Sequence, residues 1–171
     1  MTDLFPSAVP ILAEESLNGA PLAERLRPRG LSEIVGQDHL TGPEGAIGRM
    51  IAAGKLASII LWGPPGTGKT TMARLLAGAI GLRFEAVSAV LSGVADLKKL
   101  FASAREHALA GQRTLLFVDE IHRFNRSQQD SFLPFVEDGT IILVGATTEN
   151  PSFELNAAQC AFGYRDSVFK H

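Results

Sequence analysis

Gly63-Pro64-Pro65-Gly66-Thr67-Gly68-Lys69-Thr70 matches the pattern G-x-x-x-x-G-K-S/T at every fixed position. The glycines let backbone N–H groups turn inward on a β-phosphate, and a helix opening at this point adds positive potential. Lys69 is long enough to reach β- and γ-phosphate oxygens, and the Thr70 hydroxyl is a ligand type for Mg²⁺. The expected contact set runs through Gly63, Pro64, Pro65, Gly66, Thr67, Gly68, Lys69, Thr70 and Thr71, with ATP and Mg²⁺ as the bound species. A glycine-rich turn without a ligand is the plainer alternative. The full eight-residue match, set between an apolar run and a helical run, argues against it.

Fifty positions after Lys69, Leu115-Leu116-Phe117-Val118-Asp119-Glu120 ends an apolar run in two carboxylates. Parallel α/β sheets bind their ligands at the C-terminal ends of the strands. Asp119 is therefore expected to hold Mg²⁺ together with Thr70, and Glu120 to orient the attacking water for in-line displacement of the γ-phosphate. Carboxylates also favour helix N-termini for dipole reasons, but capping alone accounts poorly for an acidic pair on an apolar strand downstream of a full phosphate loop. A third polar run, Gly145-Ala146-Thr147-Thr148-Glu149-Asn150, follows another apolar segment. If the two strands are neighbours, Thr147 and Asn150 emerge beside the acidic pair and can sense a γ-phosphate. Thr and Asn are equally ordinary turn formers, and spacing alone leaves both readings open.

These residues need strands that end, and helices that begin, in the right places. Segments 58–62, 83–87, 114–118 and 140–144 read as strands, three of them almost continuously apolar, as suits a buried parallel sheet. Helical stretches near 69–80, 93–110 and 127–137 lie between them, with Gly81 and Gly111 placed to end the first two. Thr41 and Pro43 signal a further helix near 43–53 that Gly54 can close. Strand and helix alternate with crossovers long enough to join parallel strands, so the fold class is α/β. Residues 1–20, with prolines at 6 and 10 and an Asn18-Gly19 turn signal, read as a flexible arm.

The 171 residues suit one domain, long enough to bury a core. A formal charge of −2 and a pI of about 6.1 advertise no polyanion-binding surface. Cys160 is the single cysteine, which excludes an internal disulfide and a thiolate zinc site and fits a reducing compartment. Apolar stretches are strand-length, shorter than the roughly 20 residues that span a bilayer, so a soluble cytoplasmic protein is expected. No Asn-Lys-x-Asp run is present to read guanine.

The chain resembles the AAA+ ATPases and, within them, the replication-associated recombination protein A family, kin to clamp-loader, Holliday-junction-motor and Werner-helicase-interacting ATPases. The resemblance rests on Leu22 through Arg29, on Ile34 through Leu40, on the phosphate loop, on Asp119-Glu120-Ile121-His122-Arg123-Phe124-Asn125 with Gln128-Gln129-Asp130, and on Gly145 through Asn156. It covers residues 21–158, taken as the ATPase core, and leaves 159–171 as a non-matching tail. It implies a parallel sheet flanked by helices, without the C-terminal helical lid. By position, Arg27, Pro28, Val35, Gly36 and Gln37 look like the segment that cradles adenine and ribose, and Thr147 with Asn150 looks like the sensor. Arg27-Pro28 is otherwise an exposed turn. His122, Arg123 and Asn125 look like residues coupling the nucleotide to DNA or a neighbouring subunit, with solvated helix-start residues as the alternative. The resemblance further implies a homo-oligomeric ATPase acting on DNA at stalled forks or single-strand junctions, with a single-strand-binding protein as a further partner and no membrane.

The tail departs from the family. After Asn156-Ala157-Ala158 the family continues Leu-Leu-Ser-Arg, whose arginine reaches a neighbouring subunit's ATP, whereas this chain has Gln159-Cys160-Ala161-Phe162. Arg165 lies three places on, where helical rotation changes its direction. A C-terminally truncated or frame-disrupted member is the expectation, and a catalytically disabled ATP-binding interaction module is the alternative function. Asp119-Glu120-Ile121-His122 also spells the box of another helicase class, but such helicases need a second motor domain.

Overall fold

A computed structural model describes residues 21–22, 26–33, 42–66 and 68–149. The arm, Val35, Gly36, Gln37, Thr67, Asn150 and the tail lie outside the described residues. The elements in chain order are α1 (Ala46–Ala52), β1 (Ile59–Trp62), α2 (Lys69–Ile80), β2 (Arg83–Ser88), α3 (Val94–Leu109), β3 (Thr114–Asp119), α4 (Arg126–Asp130), α5 (Leu133–Glu137) and β4 (Ile141–Thr147). Short 3₁₀ turns at Leu31–Glu33 and Ile121–Arg123 precede α1 and α4.

The four strands form one parallel sheet in the order β1-β4-β3-β2. Alternate side chains divide the core into two halves, as the two-residue period of a strand requires. Leu115 and Phe117 of β3, with Ile142, Val144 and Ala146 of β4, pack on Met72, Ala73, Leu76 and Ala77 of α2 and on Ile47 of α1. Leu116, Val118, Ile141 and Leu143 face the other way, onto Leu97, Phe101 and Ala104 of α3 and onto Phe132. The inner strands β3 and β4 are thus buried on both faces, which is why their sequences are apolar without alternation. Each such large side chain contributes about 1.5–3 kcal/mol on burial.

This order sets the position of the site. The chain leaves β1 over one face through α2, crosses to the far strand β2, and returns through α3, α4 and α5 over the other face. With connections over opposite faces, parallel α/β sheets bind their ligands beyond the C-terminal ends of the strands.

Three element boundaries differ from the sequence expectation. The helix expected over 127–137 is two short helices, because Pro134 has no N–H to continue the ladder from α4 into α5. Aromatic packing secures α5 instead, with Phe101 stacked on Phe135 at 4.4 Å and meeting Phe132 edge-on at 5.3 Å. The first helix starts at Ala46 with Gly45 as its N-cap, later than Thr41 and Pro43 suggest.

The fourth strand runs three residues further than expected, to Thr147, and Gly145 lies inside it. A Cβ at Gly145 would lie 2.6 Å from Ile60 Cδ1 and 3.0 Å from Ile121 Cδ1. The glycine is there for close packing between β1 and the turn after β3, and turning plays no part. Gly145→Val is expected to lower the unfolding free energy by about 1–3 kcal/mol through overpacking, read from denaturant midpoints. An unchanged midpoint would refute that account of the packing.

Candidate nucleotide site

Gly63 through Gly68 link β1 to α2, with Gly63 buried and Pro64, Pro65, Gly66 and Gly68 exposed. Gly66 and Gly68 have φ of 76° and 82°, the left-handed region that glycine enters without steric cost. Nothing lies within 4 Å of where a Cβ would stand at either, so the loop is open on that side. Gly68 caps α2, whose first residue is Lys69. Only 7% of Lys69 is exposed, and its ammonium donates to the carbonyls of Gly63 at 2.9 Å and Pro64 at 2.8 Å. Burial lowers its pKa from the ordinary lysine value of 10.5, and the carboxylates of Asp119 and Glu120 act in the opposite sense. A cation is therefore stored at the loop with both carboxylates in electrostatic reach. Thr70 and Thr71 occupy the first turn of the same helix.

The loop and the acidic pair are joined through β4, which separates β1 from β3. Gly63 N donates to Thr147 O at 3.2 Å across the β1–β4 border. Asp119 ends β3 in register with Ser88, and its carbonyl accepts from Ala89 N at 3.0 Å. Glu120 follows with φ 53° and ψ 46°, the one non-glycine residue with positive φ among the described residues. Such a backbone costs on the order of 1–2 kcal/mol for a residue with a Cβ, and strain of this kind gathers at functional sites. It turns the chain sharply off the strand, so that the Glu120 carboxylate faces the end of β4. Thr148 Oγ1 donates to Glu120 Oε2 at 3.3 Å, and His122 Nε2 stands 3.2 Å from the same oxygen.

The segment after Glu120 is anchored from below. Ile121 and Phe124 are buried, and Gln129, only 3% exposed, donates from Nε2 to the Phe124 carbonyl at 2.9 Å. Asn125 caps α4 reciprocally with Gln128, at 2.8 and 3.0 Å. Asn125 thus has a local structural task, and Arg123 is exposed. His122 differs from both, since its side chain is 4% exposed and turned toward Glu120, Thr147 and Glu149.

Lys69, Asp119, Glu120 and Thr147 are therefore gathered at one end of the sheet, with Thr70 at the adjoining helix start. Arg27 and Pro28 precede the Leu31–Glu33 turn, whose Leu31 packs on the α1–α2 side of the core. Thr148 and His122 as partners of Glu120 were not foreseen as contacts. The only local signal was their position beside Thr147 and Glu120.

The donor types fit the expected ligand. An open loop of left-handed glycines at a helix N-terminus, with a buried ammonium aimed into it, is an anion cradle. A threonine hydroxyl and one carboxylate are hard oxygen donors, as Mg²⁺ takes when phosphates and water complete its shell. No group of three or more His, Cys, Asp or Glu suited to hold a metal occurs among the described residues.

Such a loop, followed by a carboxylate pair two strands away on a parallel sheet, defines a P-loop nucleotide-binding domain. Residues 59–162 match the model of the ATPase family associated with various cellular activities (AAA), and the chain belongs to that family. It is similar to replication-associated recombination protein A of Escherichia coli (strain K12), 56% identical over 138 residues that cover 81% of this chain and 31% of the relative. The ATPase WRNIP1 of Dictyostelium discoideum is 48% identical over 151 residues, covering 88% of this chain and 17% of that protein. The chain thus spans about a third or less of the length of these relatives. Among solved structures, the Thermotoga maritima RuvB Holliday junction branch migration motor superposes with a TM-score of 0.60 at 28% identity, covering 81% of this chain and 47% of that one.

Proposed function

We propose that this AAA domain binds Mg-ATP and hydrolyses it as the ATP-driven part of a protein acting on DNA in replication or recombination. The observation that supports hydrolysis, beyond binding, is the Glu120 carboxylate, held off the end of β3 by a left-handed backbone and two side-chain partners. The loop amides from Gly66 to Thr70 receive the phosphates, and Lys69 leaves its two carbonyls for β- and γ-oxygens. Thr70 and Asp119 would hold Mg²⁺, which would supply neutralisation of developing phosphate charge. Glu120 orients water and accepts its proton as the γ-phosphate is displaced in line. Thr147 and Asn150 contact the γ-phosphate, while Arg27, Pro28, Val35, Gly36 and Gln37 receive adenine and ribose.

The names of the relatives support a replication or recombination role. DNA at forks or single-strand junctions is the proposed substrate surface. A homo-oligomer and a single-strand-binding protein are proposed partners, and the cytoplasm is the proposed location. No described helix is long and apolar enough to cross a membrane. The three-part division into arm (1–20), ATPase core (21–158) and tail (159–171) is retained as part of this proposal.

The test is steady-state ATP turnover by the purified chain with Mg²⁺, with and without single-stranded DNA, against a Lys69→Ala blank. Turnover above the blank that rises with DNA is expected. The basal rate should be low, because Gln159 through Phe162 supply no arginine for a neighbouring site and such an arginine carries about 10³–10⁵ of the rate. ATP binding without any turnover would overturn the hydrolytic proposal and leave an ATP-binding module.

A further inference from the structure

We propose that Gly145 is a positioning residue for hydrolysis: the bare backbone of β4 at that point seats Ile121, and the seat of Ile121 sets where the Glu120 carboxylate stands. The inference rests on the ATPase reading proposed above and adds a component to it. Gly145 continues the face of β4 that carries Ile141 and Leu143, in register with Ile60 of β1 on one side and Val118 of β3 on the other. A Cβ on it would lie 2.6 Å from Ile60 Cδ1, 3.0 Å from Ile121 Cδ1 and 3.3 Å from Ile121 Cγ2. Carbon atoms in contact ordinarily stand about 3.5–4.0 Å apart. Both isoleucines therefore fill space that any other residue type at 145 would claim.

The two neighbours differ in what they can yield. Ile60 is half-buried and approaches only with the end of its side chain, so rotation of that end relieves the contact. Ile121 is fully buried among Val118, Phe124 and Phe132, and it meets position 145 with atoms of both its branches. A β-branched side chain is stiff at χ1, and close packing leaves it nowhere to rotate. The backbone at Ile121 must then move.

That movement has one outlet. Downstream the turn is pinned, since Phe124 N donates to Ile121 O at 3.1 Å and the buried Phe124 carbonyl accepts from Gln129 Nε2 at 2.9 Å. Upstream the next residue is Glu120, in its left-handed conformation. A strained backbone persists only while the surrounding structure over-determines it, and the seat of Ile121 on Gly145 is part of that determination. A side chain at 145 therefore displaces the Glu120 carboxylate, although Gly145 itself touches neither nucleotide nor water.

The test compares single-turnover hydrolysis and Mg-ATP affinity in variants of the whole chain. Opening the 3.0 Å contact to about 3.5 Å takes a shift of about 0.5 Å, and a misplacement of about 1 Å costs about 10²-fold in rate. Gly145→Ala is therefore expected to lower the single-turnover rate about tenfold and to leave ATP affinity within about twofold of native. In Ile121→Val, which lacks Cδ1, the same alanine should cost at most about threefold, whereas in Ile60→Val, which lacks the nearest atom of all, it should still cost about tenfold. In Glu120→Gln it should cost nothing further, because the displaced group has already lost its function; an effect passing along β4 to Thr147 would persist there. A Gly145→Ala rate within about twofold of native, relief by Ile60→Val instead of Ile121→Val, or an undiminished cost in Glu120→Gln overturns the positioning role and leaves the proposed function standing. If Gly145→Ala alone does not fold, Ile60→Val with the closest clash removed supplies the comparison, and failure to fold there as well assigns Gly145 to stability and overturns the role. A native chain that binds ATP without any turnover overturns the proposed function, and this role with it.

Discussion

Replacing Lys69 by alanine is expected to weaken ATP binding at least about 100-fold, since two charged hydrogen bonds at roughly 1.5–3 kcal/mol each are lost together. The structure explains why no neighbour substitutes. The ammonium emerges from the first turn of α2 and is already directed into the loop by the Gly63 and Pro64 carbonyls. Titration calorimetry with Mg-ATP reads the change, and affinity within a few-fold of the native chain would refute the assignment. The same lysine sets the sign of a pH effect on the nucleotide-free domain. Burial depresses its folded-state pKa below the 10.5 of the unfolded chain, so between the two values the unfolded state binds the extra proton. Stability then rises with pH across that window. The native chain should gain in unfolding free energy relative to Lys69→Ala as pH is raised toward 10.5.

Glu120→Gln is expected to leave ATP affinity within a few-fold of native and to lower single-turnover hydrolysis by about 10²–10⁴, the usual contribution of a positioned general base. The amide keeps the length of the side chain and can still accept from Thr148 and His122, so the turn after β3 should survive. What disappears is the negative charge and the capacity to take a proton from water. Asp119→Asn provides the contrast, since on the proposed reading it removes a Mg²⁺ ligand and should be partly relieved by excess metal. Hydrolysis by Glu120→Gln within tenfold of native would remove Glu120 from the mechanism.

The contacts that a short stretch of chain makes with itself were legible in the sequence. The phosphate loop and the acidic pair are contiguous runs, and their flanking strands and helix appear within a residue or two of expectation, because an unbroken apolar run and a 3.6-residue period are strong signals. The bearing of Thr147 on Glu120 was conditional on β3 and β4 being neighbours. Nothing local decides strand order, and only the sheet itself makes them adjacent. The His122 bridge spans 25 residues to Thr147 and depends on the left-handed turn at Glu120, which no glycine announced. The division between α4 and α5 was readable, since Pro134 lies within the stretch taken as one helix. Gly145 could have been taken for a turn residue because its packing partner, Ile60, lies on a strand far away in sequence.

The sheet order also governs when the protein becomes competent during synthesis. The strand that holds the middle of the site, β4, is the last of the four to leave the ribosome, yet it separates β1 from β3. Until it inserts, β1 has no partner among the described strands and β3 offers one open side, each a run of unpaired apolar backbone prone to improper association. Gly63 has no Thr147 carbonyl to meet and Glu120 no Thr148 before then. A nascent chain that has exposed every residue through Glu137 carries the complete phosphate loop and both carboxylates and still should not retain nucleotide. Acquisition of ATP during translation would therefore mark the moment at which residues 141–147 close the sheet.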